Sequence, residues 1–321
     1  MNKELFNPNI SVVMSVFNGA SYLHESIESI LNQSYKNFEF IIINDGSTDE
    51  TLEIIKSYKD SRIVLISRKN KGLIDSLNEA ISLAKGEYIA RMDADDISYP
   101  TRLDEQYTFM EKNADIVVCG AWAKKFGTDN GLSCTPVDDK NIREKFVITS
   151  PFIHPSVFIR KSSLRKECIK YDSNYIHAED YKLWLELLRV GKCANIPKVL
   201  LRYRVSQGQI SNKYRIVQHE SAKKIRREFI KQYFKEINLD FPLPSTITIK
   251  TIKTIKKYNY KDDKVINAII YTMYLSLIKY SHRSFFNFLS SFDYLKSPYS
   301  VKKIIRIIVK HINPNRFDSY L

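Results

Sequence analysis

The stretch "ISVVMSVFNGASYLHESIESILNQSYKNFEFIIIN" (residues 10–44) decides the fold of this chain. It begins with ISVVMSV and ends with FEFIIIN, two short apolar runs typical of strands that are buried on both faces. Between them, Leu23, Ile27, Ile30 and Leu31 recur at the spacing of one helix face. A strand, a helix and a second strand of this kind predict a unit with parallel strands.

The same alternation continues to residue 120. Further strand-like runs lie at 62–67, 87–92 and 115–120, and helical patterns lie at 47–59 and 70–85. We therefore predict an α/β fold with a mostly parallel sheet covered by helices on both faces. Ligands of such sheets bind beyond the carboxyl ends of the strands, so the residues after each strand are the candidate site.

Three carboxylates follow one of these strands in "YIARMDADDISYP" (residues 88–100). Asp93, Asp95 and Asp96 lie within four positions, and their mutual repulsion is relieved if a positive charge sits among them. Mg²⁺ and Mn²⁺ take such oxygen ligands together with phosphate oxygens. The alternatives are a solvated loop or a cap for the helix that follows.

A second polar segment, "NDGSTDE" (residues 44–50), follows the strand FEFIIIN. On its own it is a turn in which Ser47 or Thr48 caps a helix over 49–58. Its position at the ligand-binding edge also suits Asp45 to accept a hydrogen bond from a base N–H.

The chain after residue 150 has a looser pattern. "HAEDYKLWLELLRVG" (177–191) predicts an amphipathic helix, and "NIPKVLLRYRVS" (195–206) predicts a strand. Glu179 and Asp180 fall in the first turn of the predicted helix, where the helix dipole stabilises acids whatever their function.

Charge divides the chain into two parts. Residues 1–212 have no net charge, whereas residues 213–321 contain 22 Lys and Arg against 8 Asp and Glu and so contain the whole excess of +14. We predict a charge-balanced α/β domain (1–212) and a basic helical region (213–321) that faces something anionic. The last predicted helix, "SVKKIIRIIVKHI" (300–312), has one apolar face and several Lys and Arg residues, which is typical of helices that lie on an anionic membrane. A helix that packs against the rest of the protein would show the same apolar face.

The remaining signals concern the compartment. No signal peptide is expected at the N-terminus, and the longest apolar run, at 265–278, has 14 residues and predicts a core helix. The four cysteines show no CxxC pairing, which favours a reduced, cytosolic protein without structural zinc.

Residues 10–51, 70–96 and 177–187, taken in order, resemble the family 2 glycosyltransferases. These are inverting enzymes of the GT-A fold that use nucleotide sugars, and the resemblance runs over about residues 10–205. It implies Asp180 as general base, Asp95 with Asp93 as ligands of Mn²⁺ or Mg²⁺, and an acceptor region near Glu179 and His154. The implied donor-binding residues are Phe17, Asn18, Glu25, Asp45, Lys71, Arg91, Asp93 and Arg204. Members of the family often carry a His in the segment that matches 202–211, where this chain has Ser206.

The resemblance and the charge together predict the function. We expect a metal-dependent transfer of a sugar from a nucleotide diphosphate donor, a UDP-sugar above all, to a hydroxyl of a lipid-linked glycan. The expected setting is capsule or lipopolysaccharide synthesis on the inner face of a bacterial cell membrane, with no nucleic-acid partner. The alternatives are a sugar nucleotidyltransferase and a basic nucleic-acid- or membrane-binding protein without catalysis.

Overall fold

The computed structural model of the chain describes residues 7–206, 214–244, 246–258 and 263–278. The chain divides into two compact units. The first comprises Met1–Ile142 and Thr149–Ile225, and the second comprises Arg143–Ile148 and Arg226–Leu321. The boundary predicted between residues 212 and 213 lies outside the described residues.

The first unit is built on one large sheet. Its strands are β1 (Ile10–Val16), β2 (Phe38–Asn44), β3 (Ile63–Ser67), β4 (Tyr88–Asp93), β5 (Ile97–Ser98), β6 (Ile116–Gly127), β7 (Gly131–Ser133), β8 (Phe158–Arg160) and β9 (Lys192–Val205). Its helices are α1 (Ala20–Leu31), α2 (Thr51–Ser57), α3 (Leu73–Leu83), α4 (Arg102–Lys112), α5 (Asp139–Phe146, which enters the second unit), α6 (Lys161–Lys166) and α7 (Glu179–Val190). Two 3₁₀ turns lie at His154–Ser156 and Ser173–Tyr175.

The sheet has the order β3-β2-β1-β4-β8-β6-β9-β5, and β7 pairs with β6. Strands β1 to β4 are mutually parallel, β8 runs antiparallel to β4 and β6, and β6 is parallel to β9. The predicted α/β fold with a mostly parallel sheet is therefore confirmed. Val16 pairs with Asn44 and Ser15 with Asp93, so the carboxyl ends of these strands meet at one edge.

Burial of apolar side chains explains why this sequence forms this sheet. Every residue of β2 is buried, and Phe38, Phe40 and Ile42 are completely inaccessible to solvent. On α1, the predicted apolar face contributes Leu23 and Ile27, which are also fully buried in the same core. Each such side chain contributes about 1.5–3 kcal/mol through its removal from water.

Strand β9 brings a distant segment to the site edge. It pairs with β6 along most of its length and then with β5, where Arg202 lies opposite Ile97. The end of β9 therefore runs beside the loop that follows β4. The sequence predicted a strand here but not its partners, because pairing over about 100 residues leaves no local pattern.

The second unit is helical in its described part. It contains the second half of α8 (Arg215–Glu236) together with α9 (Ile249–Lys256) and α10 (Lys264–Ile278). Val265, Ile266, Ile269 and Ile270 of α10 are buried, as expected for a core helix. None of the helices in the described ranges has both the length and the apolarity that a membrane span needs. The amphipathic helix predicted at 300–312 lies outside the described residues.

Candidate active site

Asn18 joins the loops that follow β1 and β2. Its backbone has a positive φ of 52°, its N–H donates to Ser47 Oγ at 3.0 Å, and its Oδ1 accepts from the Thr48 N–H at 2.8 Å. Ser47 thus accepts a hydrogen bond from the loop after β1. Helix α2 begins at Thr51 with no side-chain cap. The prediction that Ser47 or Thr48 caps this helix was wrong, because the preceding loop takes up these polar groups.

Asp45 organises the next loop along the edge. Its carboxylate is buried, accepts from the backbone N–H groups of Lys71 and Gly72 at 2.9 Å each, and forms an ion pair with Arg68. The Lys71 side chain is exposed, and Phe17 leaves 53% of its surface exposed beyond β1. The structure thus gathers Phe17, Asn18, Asp45 and Lys71 at one edge. Their contacts with a base or a phosphate remain predictions.

The three carboxylates at the end of β4 and just beyond it form one acidic cluster. Carboxylate oxygens of Asp93, Asp95 and Asp96 lie within 4.8 Å of one another, and Arg91 forms an ion pair with Asp93. Burial, followed by the negative charge of Asp93, raises the pKa of Asp95 to about 6. Burial and both neighbouring carboxylates raise the pKa of Asp96 well above its ordinary value. These shifts mean that the charge of Arg91 relieves the crowding only in part.

The acidic cluster has the chemistry of a divalent cation site. All of its side-chain donors are carboxylate oxygens, which suit hard cations such as Mg²⁺ and Mn²⁺. Asp96 is completely buried, and its Oδ2 has no hydrogen-bond partner among the described residues. An uncompensated buried carboxylate is costly, so further positive charge at this place would stabilise the cluster. The residues present therefore fit the predicted metal.

Arg204, at the end of β9, contacts the segment that carries these aspartates. Its backbone N–H donates to Asp96 Oδ1 at 2.7 Å, and its Nε donates to the Asp95 carbonyl at 2.8 Å. Its Nη2 also donates to Glu25 Oε2 at 2.6 Å. Arg204 and Glu25, both predicted to bind the donor, are thus engaged with each other, and donor contacts for them remain predictions.

Asp180 lies in the first turn of α7, beside Glu179. Burial, with the charge of Glu179 as the next cause, raises the pKa of Asp180 from 3.8 to about 7. The Tyr181 N–H donates to Asp180 Oδ1 at 2.7 Å and opposes this shift in part. A carboxylate with a pKa near 7 is suited to take a proton at neutral pH, whereas a helix dipole alone would lower its pKa.

The half-buried His154 and the buried Tyr171 form a pair near Asp180. The distance from His154 Nε2 to the Tyr171 hydroxyl is 2.7 Å, and the His154 ring stands edge-on to Trp184 at 5.9 Å. Burial and the charge of Arg91 lower the pKa of His154 well below its ordinary value, so the ring is neutral. Tyr171 was not predicted from the sequence, since no local motif marks it. The acceptor role predicted for His154 remains a prediction.

Arg91 connects the two groups of carboxylates. It is buried, and its positive charge acts to lower the pKa of Asp95 and that of Asp180. Both side chains therefore lie within electrostatic reach of one guanidinium. The structure brings the predicted metal ligands and the predicted base into one neighbourhood, which the sequence placed 85 residues apart.

Several known proteins are similar to this chain in sequence. The family model described as glycosyl transferase family 2 matches residues 11–167. An uncharacterized glycosyltransferase of Haemophilus influenzae is 37% identical over 320 residues, which cover 94% of this chain and 98% of that protein. The Escherichia coli protein named UDP-Glc:alpha-D-GlcNAc-diphosphoundecaprenol beta-1,3-glucosyltransferase WfaP is 34% identical over 223 residues, covering 64% of this chain and 81% of that protein.

Solved structures share the fold at low sequence identity. S. aureus TarS 1-349 in complex with UDP-GlcNAc has a TM-score of 0.56 and 17% identity, over 82% of this chain and 89% of that chain. The mannosyltransferase PcManGT from Pyrobaculum calidifontis, in complex with GDP-Man and Mn²⁺, has a TM-score of 0.51 and 16% identity, over 97% of this chain and 89% of that chain. The fold of the chain is that of the GT-A glycosyltransferases.

Proposed function

This chain belongs to family 2 of the glycosyl transferases, and from that premise we propose an inverting, metal-dependent transfer of a sugar from UDP to a glycan hydroxyl. The observation that carries the proposal is the pairing of two features near Arg91. One is the acidic cluster with the donor set of a divalent cation site, and the other is Asp180 with its pKa raised to about 7.

The choice of UDP rests on similar proteins and on the site edge. The name of the Escherichia coli relative includes UDP-Glc, and the TarS structure holds UDP-GlcNAc. In this chain, the exposed ring of Phe17 and the buried carboxylate of Asp45 stand at the same edge of the sheet. An aromatic face and a hydrogen-bond acceptor are the groups that a uracil ring requires.

Asp180 acts as the general base in this proposal. In a single displacement, a carboxylate oxygen of Asp180 takes the proton of the acceptor hydroxyl while the hydroxyl oxygen of the acceptor attacks the anomeric carbon of the sugar. The bond from that carbon to the nucleotide diphosphate breaks, and the electron pair leaves with the diphosphate. Glu179, adjacent and mostly buried, orients the acceptor.

Asp93 and Asp95 would hold the cation. When bound, the cation would neutralise the negative charge on the departing diphosphate. Arg91 balances part of the carboxylate charge through its ion pair with Asp93. Because the cluster already concentrates negative charge, a diphosphate would be repelled from it without a cation.

The proposed acceptor is a glycan on a lipid diphosphate at the inner face of the bacterial cell membrane, in capsule or lipopolysaccharide synthesis. The name of the Escherichia coli relative includes a GlcNAc-diphosphoundecaprenol. The excess charge of +14 in residues 213–321 suits an anionic membrane surface and an anionic lipid diphosphate.

A donor panel tests the proposal. The protein is incubated with UDP-Glc, UDP-GlcNAc, UDP-Gal or GDP-Man and a synthetic GlcNAc-diphospholipid, and nucleoside diphosphate release is measured with Mn²⁺ or with excess chelator. We expect release from one UDP-sugar that depends on Mn²⁺ and on the acceptor. Equal release in chelator would contradict the metal role, and release from GDP-Man alone would contradict the choice of UDP.

A further inference from the structure

Hydrogen bonds of Arg204 tie the segment that carries the predicted metal ligands to its surroundings. Two go to the segment itself, from the Arg204 N–H to Asp96 Oδ1 at 2.7 Å and from Nε to the Asp95 carbonyl at 2.8 Å. Another, from Nη2 to Glu25 Oε2 at 2.6 Å, ties the same guanidinium to α1. One residue of β9 thus connects a helix, a strand and the acidic loop.

Aromatic rings fix the plane of the guanidinium. The Arg204 Cζ lies 3.9 Å from the ring centroid of Tyr22 and 4.4 Å from that of Phe126. Only 13% of the Arg204 side chain is exposed. A planar group that is stacked on two rings keeps the direction of its N–H bonds, so the acceptor at Asp95 is also held in place.

The acidic loop needs such support. Its three carboxylates repel one another, and the complete burial of Asp96 adds a desolvation penalty. Without hydrogen bonds from other segments, the three carboxylates would move apart, because a larger separation lowers their mutual repulsion. The contacts with Arg204 oppose that movement.

We propose that Arg204 is a positioning residue that sets the Asp95–Asp96 segment in the conformation that binds the cation, rather than a ligand of the donor diphosphate. This inference rests on the proposed function, because it assumes that Asp95 holds a divalent cation. Asp96 is the buried partner of Arg204, and its Oδ1 accepts from the backbone N–H, while Asp95 contributes a carboxylate oxygen to the acidic cluster.

Two ligands separate the two roles of Arg204. A residue that binds the diphosphate contributes to UDP affinity whether or not metal is present. A residue that positions a metal ligand contributes to Mn²⁺ affinity and leaves the metal-free affinity for UDP unchanged. Loss of an outer partner of a metal ligand typically weakens metal binding about 10–100-fold.

The experiment uses Arg204→Lys, which keeps the positive charge but loses the planar fork and the stacking. Free Mn²⁺ is measured by electron paramagnetic resonance during titration of the full chain with UDP present, and UDP affinity is measured separately in excess EDTA. We expect the Mn²⁺ Kd to rise about tenfold or more, while the UDP Kd in EDTA stays within about twofold.

Arg202→Lys is the matched control. Arg202 lies two residues earlier on the same strand, and its Cζ is 4.5 Å from the centroid of the same Phe126 ring. In the described part of the chain, no hydrogen bond joins its guanidinium to residues 93–96. We expect both dissociation constants to stay within about twofold of the parent values in this control.

Tyr22→Leu is a second variant that removes one stacking ring and leaves every charge in place. Tyr22 is 39% exposed, so the fold should tolerate the change, and the Mn²⁺ Kd should rise about threefold. The inference is wrong if Arg204→Lys weakens UDP binding in EDTA as much as Mn²⁺ binding, or if the Mn²⁺ Kd stays within twofold in both variants. A parent protein that binds UDP but no Mn²⁺ would instead overturn the metal role in the proposed function.

Discussion

Replacing Glu179 with Gln should move the pH dependence of transfer to lower pH. Asp180 must be deprotonated to accept a proton, so the rate rises with pH up to its pKa of about 7 and is constant above it. The negative charge of Glu179 favours the protonated form of Asp180, and its removal therefore lowers the pKa of Asp180.

The size of the effect follows from the causes of the raised pKa. The pKa of Asp180 rises from 3.8 to about 7, with burial as the first cause and the charge of Glu179 as the second. Removing the second cause should return part of the rise, about one pH unit. At pH 6, Glu179→Gln should then work at about half of its own maximal rate, whereas the parent works at about a tenth of its own.

The assay measures initial rates of nucleoside diphosphate release from pH 5.5 to 9, at saturating donor, acceptor and Mn²⁺ and at constant ionic strength. Each rate is divided by the plateau of the same enzyme, because Glu179 also orients the acceptor in our proposal. Glu186→Gln is the control, since Glu186 lies later on α7 and pairs with Lys182 and Arg189. If Glu179→Gln leaves the pH profile unchanged or moves it to higher pH, the charge of Glu179 does not raise the pKa of the catalytic base.

Three further predictions concern single side chains. Ionisation of the buried Asp180 destabilises the folded state as the pH rises from about 4 to 7. The unfolding free energy of Asp180→Asn, measured by urea unfolding, should therefore increase relative to that of the parent by about 2–3 kcal/mol from pH 5 to pH 8. A difference between the two proteins that does not change with pH would contradict this. Asp95→Ala should raise the Mn²⁺ Kd at least about tenfold by electron paramagnetic resonance, and Asp104→Ala, which changes an exposed carboxylate of α4, should not; equal effects would exclude the proposed ligand. Phe17→Ala should weaken UDP binding about 3–10-fold by calorimetry and change the unfolding free energy by less than about 0.5 kcal/mol, since its ring is 53% exposed; unchanged affinity would remove Phe17 from the base site.

The sequence predicts the first half of the sheet well, because its signals are local. The apolar runs at 10–16 and 38–44 coincide with β1 and β2, and the helical spacing from residue 20 coincides with most of α1. In each case one element buries its own apolar pattern, so the pattern and the element share their limits. The carboxylates after β4 are recognisable for the same reason.

Contacts between distant segments were beyond reach of such patterns. The sequence predicts a strand after a loop within residues 151–162, but no local pattern shows that β8 inserts antiparallel between β4 and β6. The bonds of Arg204 to Asp95 and Asp96 join residues 108 or more positions apart. The partner of His154, Tyr171, is likewise defined only once the chain has folded.

The configuration of the transferred sugar shows whether the transfer is a single displacement. A single displacement with Asp180 as base converts an α-linked sugar of the UDP donor into a β-linked product. The product is made from that donor and the synthetic GlcNAc-diphospholipid, and the coupling constant of its anomeric proton is measured by nuclear magnetic resonance. We expect a β linkage, and an α linkage would contradict a single displacement.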